Sequence, residues 1–414
     1  MVLYLMLSTV IGFESFGAEP DPKDKDLQQM DVYDSGNFMT GDWGGLRPRL
    51  NEMGITPYAR YYISILGNPV GGEKKGVQYA GLFNVHLDLD LERLLNIPRT
   101  EFLVSGSWAS GRSLSDDDIG NFFTVSQVFS GRSVRLYQLI LKSELVEDLF
   151  TVAIGRMGVG DQFSTSEIFY NYVSTAINGH PISFPINDEA YFSDPQASWA
   201  ARMELTPVKE FYMKAGVYNS NPRVGGDSAH GVNFSFRKGV ILIGEFGYTP
   251  DISTEPGTLR GRYTFGTFYD TRKFDELSDD SQKQKGNYGL YWILEQMIYR
   301  ENPLSDQGLT PWTAITISPD ETINTFPFFI SGGFVYKGLF PQRGRDVTAF
   351  GFAYGTLSDD LDNKDYELML ELTHMFQAMP WLQVQPDIQW VIHPGGSTEI
   401  PNALVIGMQM VVDL

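Results

Sequence analysis

The stretch Val77–Leu91, VQYAGLFNVHLDLDL, alternates between two kinds of residue along its whole length. One set of alternate positions is apolar or small, and the other set ends in His86, Asp88 and Asp90. A period of two residues is that of a β-strand with one apolar face and one wet face. The stretch is about three times as long as the usual ~5–6 residues, whereas a strand that crosses a bilayer obliquely needs ~9–11 residues. The segment therefore predicts either a membrane-barrel strand, with lipid on the Phe83 side, or one strand of a soluble sandwich.

The composition limits the class of protein. The chain has 414 residues, enough for two or three soluble domains or for one large barrel. Apolar residues make up 42%, yet no run approaches the ~18 residues of a membrane helix, as expected where apolar and polar residues interleave. The absence of cysteine excludes disulfides, thiolate metal sites and a cysteine nucleophile. A net charge of −20 argues against nucleic acid as a partner, and acidic loops could instead meet divalent cations at a lipopolysaccharide surface.

The first 54 residues differ in character from the rest of the chain. Residues 1–17 are predicted to form a secretory signal peptide, and residues 18–37 a charged, flexible leader. Residues 38–54 are predicted to form a helical segment, capped by Asp42 and ended by Gly54. The barrel domain is then expected to span 55–414.

Extended segments can be counted from Thr56 onward. Sixteen are predicted, at 56–66, 77–91, 99–109, 133–144, 150–157, 197–206, 210–219, 230–237, 240–248, 258–269, 287–299, 325–337, 346–357, 365–377, 381–392 and 402–413. Their connections alternate between short turns and long loops, which is the plan of an outer-membrane barrel, although the connection 270–286 is long where a short turn is due. The sequence therefore predicts an all-β fold: a transmembrane antiparallel β-barrel of sixteen strands with a short N-terminal helix and long external loops.

A barrel of this size is too wide for side chains to fill, so its function depends on what lines it. The alternation predicts a set of inward polar residues: Arg60, Tyr62, His86, Asp88, Arg202, Glu204, Lys214, Glu245, Arg260 and Arg262. Both signs of charge are present together with tyrosines, a mixture that suits a polyhydroxylated neutral solute better than an ion. For each residue the alternative is a simple cross-strand ion pair. The loop 158–196 is rich in aromatic residues and is predicted to fold inward and narrow the channel, the alternative being an external lid.

No catalytic or cofactor motif is present. GxSxG, HExxH, a Walker loop and a dinucleotide fingerprint are all absent from the sequence. The five histidines are scattered without metal-ligand spacing, and the acidic run 116–118 is typical of a solvated loop tip. The sequence thus predicts no enzyme activity, no cofactor and no metal site. A barrel-embedded hydrolase and a soluble sandwich lectin are the alternatives from other functional classes.

Several motifs carry a resemblance to a known family. TGDWGGLR at 40–47, followed by Leu50 and Gly54, resembles the opening signature of the OprB-type carbohydrate-selective porins. Further similar segments follow in the same order, among them VRLYQ at 134–138, IGR at 154–156, GNYG at 286–289, QPDIQ at 385–389 and HPGG at 393–396.

The resemblance extends from about residue 38 to the C-terminus and implies a sixteen-stranded outer-membrane barrel for passive diffusion of small neutral sugars. It also implies arginines and acidic residues at the narrowest point, with Arg156 as the one residue that can be carried over. A general porin without sugar preference remains the closest alternative. Outer-membrane lipid and lipopolysaccharide are the expected surroundings, and the sequence leaves a monomer or a homotrimer open.

Overall fold

The computed structural model describes residues 35–226, 230–255, 257–279 and 281–414. The predicted signal peptide, and all but the last three residues of the predicted leader, lie outside the described residues. Within the described ranges, no helix has both the length and the apolar character needed to cross a bilayer.

One continuous antiparallel sheet organises the molecule. Its strands are β1 (Ile55–Val70), β2 (Val77–Asp90), β3 (Thr100–Gly111), β4 (Val134–Val146), β5 (Phe150–Met157), β6 (Ser198–Val208), β7 (Phe211–Asn219), β8 (Val240–Tyr248), β9 (Asp251–Thr254), β10 (Gly257–Asp275), β11 (Lys283–Gln296), β12 (Tyr299–Arg300), β13 (Gly308–Ile317), β14 (Phe328–Lys337), β15 (Val347–Thr356), β16 (Tyr366–Met379), β17 (Leu382–Ile392) and β18 (Ala403–Asp413). The short strands β9 and β12 pair only with the first residues of β10 and β13. The other sixteen form a closed barrel, because β1 pairs with both β2 and β18. The predicted fold class and strand number are confirmed.

Two strand predictions were wrong: one predicted strand is absent and one observed strand was not predicted. The two errors offset each other, so the predicted number of sixteen strands is still correct. Residues 230–237 form no strand, although apolar and polar residues alternate along them. The segment is not paired with any strand of the barrel sheet. The strand β13 was missed because Pro311 stands within it, and proline normally argues against a strand. Pro311 stands opposite Phe334 of β14, but neither β11 nor β12 pairs with it. The carbonyl of Leu309, two residues earlier, bonds on the side away from β14, so by alternation the missing N–H of Pro311 falls on that side, where it has no ladder partner.

The same error explains the connection that broke the alternation of loop lengths. With residues 230–237 removed from the count, the link between β10 and β11 falls at the end of the barrel that carries the long loops. It is also shorter than predicted, since β10 extends to Asp275 and β11 begins at Lys283. We call this end of the barrel the loop end, and the opposite end the turn end.

The opening stretch behaves as its alternation predicts. Val85 is 48% exposed on the outer face of β2, whereas Asn84 is 1% exposed on the inner face. At the turn end Asp90 is the last residue of β2 and caps the short helix Leu91–Leu95, where its carboxylate accepts hydrogen bonds from the N–H groups of Glu92 and Arg93.

A short helix, Leu46–Glu52, precedes the barrel at the turn end. Asp42 does not cap it: the N-cap is Gly45, and the Asp42 carboxylate accepts instead from the N–H of Gly44 at 3.0 Å. Arg47 is almost fully buried and donates to the carbonyl oxygen of Leu414 at 3.0 Å. The helix is therefore fastened to the last strand.

The hydrophobic core lies inside the barrel, among residues of two loops. The connection between β3 and β4 contributes Phe123, and the connection between β5 and β6 contributes Phe163, Tyr172 and Phe184, all of them fully buried. Their aromatic rings pack against inward-facing wall residues such as Trp312 and Phe268. The loop after β5, which we call the inward loop (residues 158–197), therefore folds into the barrel as predicted.

Candidate pore lining and constriction

The inward loop crosses the interior and is hydrogen-bonded to the wall at several points. The backbone N–H of Ser164 donates to the Glu245 carboxylate on β8 at 3.0 Å. The N–H of Val173 donates to the Glu371 carboxylate on β16 at 2.6 Å. Because β8 and β16 are far apart in the sheet order, these two contacts place the loop across the lumen rather than along one wall.

Further contacts hold the second half of the inward loop, at Asn187 and Asp188. The Asn187 side chain exchanges two hydrogen bonds with the backbone of Phe326, at 2.8 and 2.9 Å. Asp188 forms an ion pair with Arg272 of β10, which also binds Asp270 at 3.0 Å. Loop side chains thus bond to the wall and to the link between β13 and β14, and wall carboxylates accept from loop N–H groups.

Five of the predicted pore residues come together on the inner wall of β6–β10. Glu204 stands directly opposite Lys214, and Lys214 directly opposite Glu245. The Lys214 ammonium lies 3.7 Å from Glu245, and Arg202 binds Glu204 at 2.6 Å. Arg262 donates to the Tyr212 hydroxyl at 3.1 Å and stands opposite Glu295 in the register. We call this group the paired-charge belt (Arg202, Glu204, Lys214, Glu245, Arg262).

The paired-charge belt is the cross-strand arrangement that the sequence left as the alternative to solute contact. Arg202, Lys214 and Glu245 are almost fully buried under the inward loop, Glu245 being 4% exposed. Glu204 and Arg262 keep part of their surface. A similar pair, Glu101 with Lys142 at 3.3 Å, lies farther round the wall beside Asp88.

The remaining predicted residues on β1 and β2 form a second group. Arg60 binds Asp413 at 2.5 Å and remains partly exposed, as do Tyr62 and Asp88. His86 is nearly buried and stacks on the ring of Tyr58, with centroids 4.5 Å apart and planes within 1°. Of these side chains, Arg60, Tyr62 and Asp88 present surface to the lumen.

Two predicted residues join neither group. Arg156 is 0% exposed, and its guanidinium donates to the carbonyl oxygens of Leu136 at 3.1 Å and Val224 at 3.4 Å. It therefore has no surface for a solute and instead holds the loop after β7 against β4. Arg260 lies at the turn end, where its Nε is 4.0 Å from Asp251, and it is largely exposed.

Acidic residues of the inward loop complete the second group, and they were not among the pore-lining residues predicted from the sequence. The N–H of Asp194 donates to the Asp161 carboxylate at 3.0 Å, and the Tyr137 hydroxyl also donates to Asp161. Burial raises the pKa of Asp161 to about 6, and burial together with the charge of Asp161 raises the pKa of Asp194 to about 7. Tyr170 lies close enough to both carboxylates and to Tyr62 for their charges to act on it.

The sequence does contain a signal that Asp161 and Asp194 lie close together. Met157 and Ser198 are register partners, so the two ends of the inward loop start side by side. Asp161 follows Met157 by four residues, and Asp194 precedes Ser198 by four, which brings the two carboxylates to the same height. The pairing of consecutive strands therefore predicts contacts near the two ends of a long loop, but not along its middle. Among the residues that the structure describes, no cluster of three or more acidic or histidine side chains could hold a metal ion.

Comparison with known proteins agrees with this architecture. Residues 74–414 match the family model of the carbohydrate-selective porins, OprB family. The chain is 28% identical to Porin B of Pseudomonas aeruginosa over 90% of each chain. It is 23% identical to a putative porin, QuiX, of Acinetobacter baylyi over 90% of this chain and 92% of that protein.

A solved structure extends the likeness to the fold. The high-pH structure of OprB from Pseudomonas putida superimposes with a TM-score of 0.84 at 26% identity, covering 92% of this chain and 99% of that one. The family match covers most of the chain, and the superposition shows that the fold is shared. The chain therefore belongs to the OprB family of carbohydrate-selective porins and is an outer-membrane β-barrel channel for sugars.

Proposed function

We propose that small neutral sugars pass by diffusion through a constriction between the β1 wall and the inward loop. Its wall side carries Arg60 and Tyr62, and its loop side carries Asp161, Tyr170 and Asp194. All five side chains are partly exposed. A side chain must have accessible surface in order to contact a passing solute. The observation that carries the proposal is this meeting of an arginine–tyrosine wall with an acidic–tyrosine loop inside the barrel.

The chemistry of the five side chains suits a sugar. A guanidinium donates to hydroxyl oxygens, and carboxylates accept from hydroxyl protons, with stronger hydrogen bonds than neutral groups make. Tyrosine rings offer apolar faces to the C–H surfaces of a sugar ring and keep a hydroxyl for hydrogen bonding. A cation or an anion would meet both signs of charge, so the constriction favours neither.

We propose that the paired-charge belt lines the passage on the turn side of this constriction. Its accessible members are Glu204 and Arg262, with Asp88 farther round the wall. The buried members, Lys214 and Glu245 among them, support the inward loop, since Glu245 accepts from Ser164 of that loop. The belt is expected to affect the position of the loop more than the choice of solute.

Liposome swelling tests the proposal. Proteoliposomes with the purified chain should swell faster in glucose than in gluconate, a charged solute of similar size. Arg60→Ala should slow swelling in glucose by removing a hydrogen-bond donor, and should slow swelling in gluconate more, because the acidic side chains then lack the opposing charge. Lys74→Ala, an exposed change in the link between β1 and β2, serves as the matched control. Equal swelling in both solutes for the unaltered chain would make it a general porin.

We also propose that the barrel lies among outer-membrane lipid and lipopolysaccharide as a monomer or a homotrimer. The outer wall supports this: residues such as Val85, Ile154, Leu242 and Leu372 are exposed and apolar. The mass of the detergent-solubilised protein, measured by light scattering, distinguishes the two assemblies. Since the fold and family point to a channel, no hydrolytic step is proposed.

A further inference from the structure

The segment that resembles a strand but is not one lies against the outer wall of the barrel. We call residues 230–238 the outer segment. The N–H of Leu136 on β4 donates to the carbonyl oxygen of His230 at 3.0 Å. The indole N–H of Trp199 on β6 donates to the carbonyl oxygen of Asn233 at 3.0 Å, and the Asn219 amide on β7 donates to that of Ser235 at 2.7 Å. The outer segment is therefore tied through its backbone to three strands.

These backbone bonds leave one side of the outer segment facing away from the barrel. Phe234 and Phe236 are 65% and 66% exposed, and Val232 is exposed with them. Asn233 and Ser235, between them, are partly buried. The Phe234 ring also stacks on Trp199, with centroids 4.8 Å apart. The alternation that resembles a strand thus produces an apolar ridge on the outside of the barrel.

The position of the ridge is at the level of a membrane interface. Trp199 is the second residue of β6 at the loop end, and Trp108 on the outer face of β3 is likewise near the loop end and exposed. Tryptophans concentrate where the headgroups of a bilayer meet its hydrocarbon. Because long loops of such barrels face outward from the cell, the ridge lies at the outer leaflet.

A pair of cations follows the ridge. Arg237 and Lys238 are both exposed and come directly after Phe236. Lys74 and Lys75 form another exposed pair of cations at this end of the barrel, but they lie in the β1–β2 link and do not belong to the outer segment. An apolar face next to basic residues is the pattern of a surface that binds anionic lipid at the interface.

We propose that the outer segment is a docking surface for lipopolysaccharide, with Val232, Phe234 and Phe236 against its acyl chains and Arg237 and Lys238 on its phosphates. This inference rests on the proposed association with lipopolysaccharide and gives that association a place on the barrel. The occupant matches both halves of the surface, because its lipid A part carries acyl chains and phosphates together in the outer leaflet.

The test is a binding titration of the full purified chain in detergent with bisphosphorylated lipid A, read by native mass spectrometry. The double variant R237Q/K238Q should weaken binding about thirtyfold, since each of the two basic residues near an anionic lipid surface contributes about 1 kcal/mol and every 1.4 kcal/mol is a factor of ten. The matched control is K74Q/K75Q, which removes the same charge from exposed residues of the β1–β2 link at the same end of the barrel. This control should bind as the unaltered chain does, and both variants should keep glucose swelling.

Further measurements distinguish lipid A from other lipids and from a protein partner at the outer segment. Lipid A without phosphates should bind the unaltered chain more weakly, and R237Q/K238Q should not change that weaker binding. Phosphatidylglycerol bound as tightly as lipid A would overturn the choice of lipid, and a change of assembly mass in F234S/F236S would show a protein contact instead. If the unaltered chain binds lipid A and R237Q/K238Q binds it equally, the proposed lipid association stands and this inference fails. If the unaltered chain does not bind at all, both fail.

Discussion

The side-chain amide of Asn84 on β2 donates a hydrogen bond of 3.2 Å to the carboxylate of Asp194 in the inward loop. One inward residue of the opening stretch is therefore directly bonded to the loop that we place at the constriction. Asn84 lies beside Val85, which faces the opposite side of the wall. The two neighbours allow the two faces of one strand to be compared by experiment.

Lysine substitutions at these two positions should differ strongly in cost. Val85→Lys puts a charge on the exposed outer face of β2 and should lower the free energy of unfolding by about 2–4 kcal/mol if the site is near the bilayer midplane. Asn84→Lys loses the amide hydrogen bond to Asp194 but places the ammonium beside that carboxylate rather than in lipid, and should therefore cost less. Urea unfolding in lipid vesicles measures both. Similar losses at the two positions would contradict the lipid-facing assignment of Val85.

The two raised carboxyl groups predict a pH-dependent charge at the constriction. The pKa of Asp161 is about 6 and that of Asp194 about 7, so both are largely neutral at pH 5 and largely ionised at pH 8. The cation-to-anion permeability ratio should therefore rise over this range, with its midpoint between those values. Reversal potentials across planar bilayers under a KCl gradient measure the ratio, and D161N/D194N should remove most of the rise.

The raised pKa values of Asp161 and Asp194 also predict how the stability of the folded protein changes with pH. The folded pKa values lie above the ~3.9 of an unfolded aspartate, so the folded state holds more protons between these limits. Stability contributed by the two groups is therefore present at low pH and is lost as the pH rises through about 6 to 7. Thermal unfolding of D161N/D194N should depend less on pH in this window than that of the unaltered chain.

Glu371 should control how firmly the inward loop is held. Its carboxylate accepts from the N–H groups of Val173 and Ser174 at 2.6 and 3.3 Å. Glu371→Ala leaves these donors without that acceptor, at about 1–3 kcal/mol for each buried group. Single-channel recordings should show a larger and noisier conductance. Glu371→Gln keeps an acceptor oxygen and is the control; a conductance equal to that of the unaltered chain in both variants would rule out this role.

Arg156 and Arg60 should separate stability from selectivity. Arg156 is buried between backbone carbonyls, so Arg156→Ala should lower the free energy of unfolding by about 1.5–3 kcal/mol and leave the glucose-to-gluconate swelling ratio unchanged. Arg60→Ala should raise that ratio, because the loss of a positive charge excludes gluconate more than glucose. A higher ratio in Arg156→Ala, with the protein still folded by circular dichroism, would return Arg156 to the pore lining.

The alternation of residues predicted most of the barrel because a strand between lipid and water has only two faces to fill. It failed at residues 230–237, where an extended segment uses the same alternation to lie outside the ladder. It failed again at β13, where Pro311 occupies a position that needs no donor. Periodicity reports that a segment is extended and two-faced, and it does not report which neighbour the segment pairs with.

The candidate site was harder to predict than the fold. Alternation identified Arg60 and Tyr62 on the wall, but Asp161, Tyr170 and Asp194 belong to a loop without periodicity. Their positions depend on long-range contacts such as Glu371 with Val173, which no local pattern reveals. The family motif around Arg156 identified a buried structural residue, because a recurrent residue serves packing as readily as solute contact.

The core inside the barrel makes the wall a partition between two apolar phases, the bilayer and the packed loops. Each strand therefore has its register specified from both sides. A slip of one residue along β2 would exchange its two faces. The Asn84 amide would then enter lipid, and Val85, which has no side-chain donor, would replace it beside the Asp194 carboxylate. Misaligned closure of the barrel is thus penalised twice at the same position, a form of error checking that a water-filled barrel without an internal core would not have.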